Sequence, residues 1–141
     1  MNLSAKVEYA AVAVLELASH FEQRDPVRLR DISNRHGIPA PFLVQIMLQL
    51  KAAGLVESTR GSAGGYRLTR DPSSISLSEL RSIIEGPGEF VSNLNASTPF
   101  SRALRDVWRE VHEMERERLA EVTFASLLDR SRGARETMYY I

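Results

Sequence analysis

The stretch from residue 29 to residue 69 constrains this chain more than any other. It holds two short helical patterns separated only by Gly37-Ile38-Pro39, then two strand-like runs on either side of Arg60-Gly61-Ser62-Ala63-Gly64-Gly65. The first pattern, residues 30–35, turns Ile32 inward and stops at Gly37, a residue that tolerates the left-handed cap conformation. The second starts near Pro41, whose fixed backbone angle suits a first helical turn, and ends before Gly54. Its apolar face is Phe42, Leu43, Ile46, Met47 and Leu50, which leaves Val44, Gln45, Leu48, Gln49 and Lys51 wholly or partly outside the core. Residues 55–59 and 66–69 read as a β-hairpin with a glycine-rich tip. Two short helices, a tight turn and an immediate hairpin make a winged helix-turn-helix.

The rest of the chain supplies supports. Over residues 4–20, Val7, Ala10, Ala11, Val14, Leu15, Leu17 and Ala18 recur at helical spacing, and Asp25-Pro26 makes a turn into a short extended piece at 27–29. Ser76-Leu77-Ser78-Glu79 is a capping box that opens a helix over 77–85, closed by Gly86-Pro87-Gly88. Residues 89–98 have no sustained period. Thr98-Pro99 then opens the longest helix, about 99–122, with a stripe of Leu104, Val107, Trp108, Val111, Met114, Leu119 and Val122 amid Arg and Glu. A short helix over 124–129 precedes a polar segment, 130–136, and an apolar tail, 137–141. The expected fold is mainly α with a small β wing: a winged helix-turn-helix domain (1–86, wing about 55–69), a connector (87–98), a long dimerisation helix with a short helix (99–129), and a flexible tail (130–141).

Composition narrows the function classes. The 141 residues contain no cysteine, so the chain alone offers no disulfide, zinc-thiolate or cysteine-ligated cluster site, and no cofactor is expected. No apolar run is long enough for a transmembrane helix and the first residues lack a signal-peptide layout, so no membrane partner is expected and the cytoplasm is the default compartment. Formal net charge is zero, but residues 1–70 carry 9 Lys or Arg against 6 Asp or Glu, while residues 71–141 carry 9 against 12. Basic charge thus gathers with the helix-turn-helix. His20, His36 and His112 have no metal-pair spacing, and the glycine-rich tip joins strands instead of opening a helix, so neither an enzyme nor a phosphate cradle is indicated.

A helix-turn-helix with a wing fits double-stranded DNA, because the second helix matches the major groove and the wing reaches a phosphate backbone or the minor groove. Arg60 can place its guanidinium in a narrow minor groove. Gln45 and Gln49 are candidates to read base edges, and Lys6, Arg28, Lys51 and Arg67 to pair with phosphates. Pro41, Gly64 and Tyr66 complete the expected DNA-binding set. Leu104, Trp108, Val111 and Leu119 are the expected homodimer contacts, since two reading heads on a two-fold axis would recognise a pseudo-palindromic operator. The competing readings are a DNA-binding regulator that senses another ligand or partner, for instance a small ligand between the two domains, and a protein interaction module that binds no DNA.

The residues Leu3-Ser4-Ala5-Lys6, Tyr9-Ala10, Ile32, Gly37-Ile38, Phe42-Leu43, Gln45-Ile46, Leu50-Lys51, Ala53-Gly54-Leu55-Val56, Ser58, Arg60-Gly61 and Gly64-Gly65-Tyr66 resemble the bacterial winged-helix regulator family that includes the iron-sulfur regulator IscR and the cysteine-metabolism repressor CymR. The resemblance implies a dimeric transcription regulator, its long helix crossing that of its partner. The chain departs from many members in having Pro39 to Pro41 and Val44 where they have Ser and Glu around the start of the reading helix. IscR-like members hold a cluster through three cysteines in the connector, where this chain has none. The tail Met138-Tyr139-Tyr140-Ile141 is similar to the end of the CymR type, which implies O-acetylserine (thiol)-lyase as a partner, entered by the C-terminus, and O-acetylserine as the signal.

Overall fold

The computed structural model describes residues 3–139, with side chains to residue 133. Its elements in order are α1 (Ala5–Ser19), α2 (Leu29–His36), α3 (Ala40–Ala52), β1 (Val56–Thr59), β2 (Gly65–Leu68), a 3-10 turn (Pro72–Ser74), α4 (Leu77–Glu85), α5 (Pro99–Glu121) and α6 (Phe124–Tyr139). The chain is mainly helical with one small sheet, as its periodicities require.

Helix α1 is the centre of the core. Ser4 caps it, its hydroxyl accepting from the Val7 N–H at 3.2 Å, and Val7, Ala10, Ala13, Val14, Leu17 and Ala18 are buried. Three alanines on that face let neighbouring backbones approach closely, and α3, α4, α6 and β2 all pack there. Glu16, at the edge of this face, accepts from Arg35 at 3.2 Å and contacts His36 at 3.0 Å, tethering the end of α2 to α1.

The turn between α2 and α3 fixes how the second helix is presented. Gly37 adopts φ +65°, and the Ile38 N–H donates to the Ser33 carbonyl at 3.2 Å, a left-handed helix cap. The Ser33 hydroxyl donates to the Ile38 carbonyl at 2.6 Å, while the Ile38 side chain is buried. Beneath α3, Leu43, Ile46, Met47 and Leu50 are buried. Phe42, expected with them, is instead 44% exposed, its ring edge-on to Tyr9 at 5.9 Å.

The C-terminal part returns to the first domain. The Leu77 N–H donates to the Val122 carbonyl and the Phe124 N–H to the Ile75 carbonyl, which brings Phe124 into the core, fully buried. Helix α6 therefore packs on α1 and the 3-10 turn instead of extending the dimerisation segment. It also runs to Tyr139, where the sequence suggests a helix ending at 129 and a flexible arm. The physical reason is composition: Arg, Ala, Glu and Met between 130 and 138 favour helix, and a single interior glycine, Gly133, costs only about 1 kcal/mol. Among the described residues no helix is long and apolar enough to cross a membrane.

Candidate nucleic-acid interface

Helix α3 presents a continuous outer face. Pro41, Val44, Gln45 and Leu48 follow the i, i+3, i+4, i+7 spacing opposite the buried residues, and all four are exposed. Lys51 extends this face by another turn, and its ammonium donates to the Ser58 hydroxyl on β1 at 2.8 Å. That bond ties the outer face of α3 to the wing. Gln49 does not belong to it: its amide donates to the Ile84 carbonyl on α4 at 3.3 Å, and it is only half exposed. Its position lies beside the α3 residues that face α4, apart from the four exposed ones.

The wing is an antiparallel pair with Val56 opposite Leu68 and Thr59 opposite Gly65. A third segment joins it, the N–H and carbonyl groups of Val27 and Tyr66 exchanging bonds of 2.8 Å. Two glycines close the tip for steric reasons. A Cβ on Gly64 would lie 2.3 Å from the Thr59 carbonyl oxygen, and one on Gly65, at φ +156°, would lie 2.6 Å from that of Val27. Gly64 is buried and the Tyr66 ring packs against the core. Gly64 and Tyr66, both expected DNA contacts, shape the wing.

The cations divide into two sets. Arg67 is bonded to Glu57 across the hairpin at 2.5 Å, and Arg70 to Glu79, so their charges are locally balanced. Arg60 at the start of the wing tip and Arg28 at the N-cap of α2 are exposed, Lys6 is half-buried, and none of the three has an ion pair among the described residues. Arg60, Arg28 and Lys6 are therefore, with the exposed Arg24 and Arg30, which also have no ion pair among the described residues, charges available to an incoming polyanion.

Helix α5 lies against α4, joined by Arg81 to Glu115 at 2.9 Å. Thr98 and Ser101 cap its start reciprocally, and Ser101 also donates to the Ala96 carbonyl at 2.7 Å, which anchors the connector. Away from α4 the helix exposes Phe100, Leu104, Val107, Trp108, Val111 and Met114, with Trp108 57% exposed. Leu119 is half-buried beside Ser78, Ser82 and His112, so of the four expected dimer residues it turns toward α4. His112, expected on the charged side, is half-buried with the Phe90 ring 6.1 Å away. Met138 to Ile141 lie outside the described side chains.

The profile of the Rrf2 family, described as iron-dependent transcriptional regulators, matches residues 3–130. The chain belongs to the Rrf2 family. A helix-turn-helix transcriptional regulator assigned in Mycobacterium tuberculosis is 37% identical over 131 residues, 90% of this chain and 81% of that protein. CymR of Bacillus subtilis is 31% identical over 142 aligned residues, spanning both chains fully. The structure of CymR, the global cysteine regulator of that organism, superposes with a TM-score of 0.83 over 92% of this chain and 98% of its own. T. potens IscR does so with 0.79 at 32% identity, over 95% and 90%. The fold is thus the winged helix of CymR and IscR, and this Rrf2 member is a transcriptional regulator by family.

The family description names iron, and the donor set can be compared with that need. Iron-sulfur clusters are held by cysteine thiolates. This Rrf2 chain has no cysteine, its connector from 89 to 98 offers one carboxylate among hydroxyls and amides, and among the described residues no group of three or more His, Asp or Glu is placed to hold a metal ion. The residues present do not fit a cluster of that kind.

Proposed function

We propose that this Rrf2 protein is a dimeric, sequence-specific DNA-binding regulator that represses genes of cysteine and sulfur metabolism and takes its signal from a protein partner, with no iron-sulfur cluster. The observation that carries the reading is the union in one chain of two surfaces. One is a winged helix-turn-helix whose Arg60 and Arg28 have no ion pair among the described residues; the other is an exposed apolar stripe on α5. A contiguous apolar stripe on a charged helix is the mark of a surface meant to be covered. A second copy covers it symmetrically and brings two reading heads to a pseudo-palindromic operator.

Two facts support the cysteine role: similarity to CymR over its whole length, and the likeness of residues 138–141 to the tail of the CymR type. In this reading Met138, Tyr139, Tyr140 and Ile141 enter the active site of O-acetylserine (thiol)-lyase, their side chains met by an apolar cleft. A partner that binds the DNA-competent form more tightly strengthens repression, and O-acetylserine competing for that partner relieves it. Calorimetric titration with the lyase tests this directly: binding should be lost when residues 139–141 are deleted, and equal affinity of both forms would remove the partner.

One observation favours a second source of signal within the same function. A cavity of about 480 Å³ between α1, α2 and α6 is lined by Val12, Leu15, Glu16, Arg35, His36 and Leu128, which joins the helix-turn-helix to the C-terminal helix. If the lyase does not bind, a small amphipathic effector in this cavity is the alternative, tested by whether filling it with Ser19→Phe alters operator affinity.

A further inference from the structure

The outer face of α3 is unusual for a reading helix because of what it lacks. Its sequence, APFLVQIMLQLKA, contains no Arg, Asp or Glu, and its one charge, Lys51, is bonded to Ser58. Guanine presents two acceptors in the major groove and is read by Arg or Lys, while cytosine presents an amino donor and is read by a carboxylate. No carboxylate or guanidinium is available on this face, and its one ammonium, Lys51, is held at the last turn toward Ser58. What it offers is one amide, Gln45, set among Pro41, Val44 and Leu48, of which Val44 is 46% and Leu48 60% exposed.

Gln matches adenine, since its amide can donate to N7 and accept from the N6 amino group, and apolar side chains match the 5-methyl group of thymine. We propose that this face reads A·T pairs: Gln45 takes adenine, and Val44 and Leu48 pack on thymine methyls at neighbouring positions. The inference rests on the DNA-binding reading above and specifies its major-groove target. Val44 and Leu48 are left in water on a helix whose outer face is tied to the wing, and a methyl-bearing groove would take them out of it.

The test starts by selecting bound duplexes from a random double-stranded library with the full-length protein. Enriched half-sites should be A·T at the positions facing α3. In the selected duplex, replacing thymine by uracil removes the methyl and keeps every hydrogen-bonding group of the base edge. Affinity should fall about fourfold for each contacted methyl. The Val44→Thr variant keeps the side-chain shape, replaces a methyl by a hydroxyl, and should lose part of the preference for thymine over uracil. Arg60→Ala should weaken both duplexes alike. Half-sites rich in G·C, or equal binding of thymine and uracil duplexes, would overturn the inference while leaving DNA binding intact. Failure to select any duplex would overturn the DNA-binding reading and this inference with it.

Discussion

At the scale of single residues, the wing depends on two glycines whose replacement is a matter of distance. Gly64→Ala places a methyl 2.3 Å from a backbone carbonyl oxygen, closer than any relaxed contact, so β1 and β2 must separate. The expected cost is about 1 to 3 kcal/mol in a denaturant melt, with operator binding reduced further because Arg60 sits in the same tip. Phe124→Ala removes the largest fully buried side chain among the described residues and should cost about 3 to 5 kcal/mol, although it lies far from α3 in sequence. Asp71 gives a pH dependence. The Ser73 backbone N–H donates to its carboxylate at 2.8 Å and holds its pKa below the ordinary carboxylate value. A pKa depressed in the folded state adds stability that is present above the unfolded value and lost as pH falls through the folded one. Asp71→Asn should therefore flatten the acid limb of the stability curve by lowering stability in the neutral region, the two proteins converging once pH falls below the folded-state pKa of Asp71.

At the scale of elements, legibility follows from where the signal lies. Helix α4 is readable to the residue because both its ends are written locally, by the Ser76 cap and Gly86. The hairpin is readable because alternation and glycine coincide between Val56 and Leu68. Gln49 escapes such a reading because periodicity separates buried from unburied positions, whereas its bond to Ile84 depends on α4, 35 residues away. Leu119 falls in with the α5 stripe for the same reason: a stripe as wide as residues 104 to 122 can serve two neighbours. The length of α6 is hidden because a polar composition reads as a loop when its packing on α1 is unknown. The exposed part of α5 carries the prediction at this scale. Trp108→Glu should convert a dimer to a monomer in analytical ultracentrifugation while circular dichroism keeps its helical signal; an unchanged mass would remove α5 from the interface.

At the scale of the whole molecule, a chain of zero net charge meets a polyanion through the distribution of its charges. The wing and α2 carry cations without an ion pair among the described residues, and α3 holds an outer face whose one charge is Lys51 at its last turn. Helix α5, where Arg and Glu residues such as Arg116 and Glu113 pair, holds an apolar stripe. Each surface is suited to a different contact, with phosphate, base edges and a second copy respectively. The central claim is that Arg60 and the wing bring this Rrf2 protein to a specific operator. The direct measurement is fluorescence anisotropy of the selected duplex against protein concentration at several salt concentrations, for the native chain and for Arg60→Ala. The account predicts nanomolar, salt-dependent binding by the native dimer. For Arg60→Ala it predicts much weaker binding and a log-log salt slope shallower by up to roughly two, since each copy brings one cation fewer to the duplex and each neutralised charge contributes about 0.9. Identical isotherms and slopes for the two proteins would contradict it.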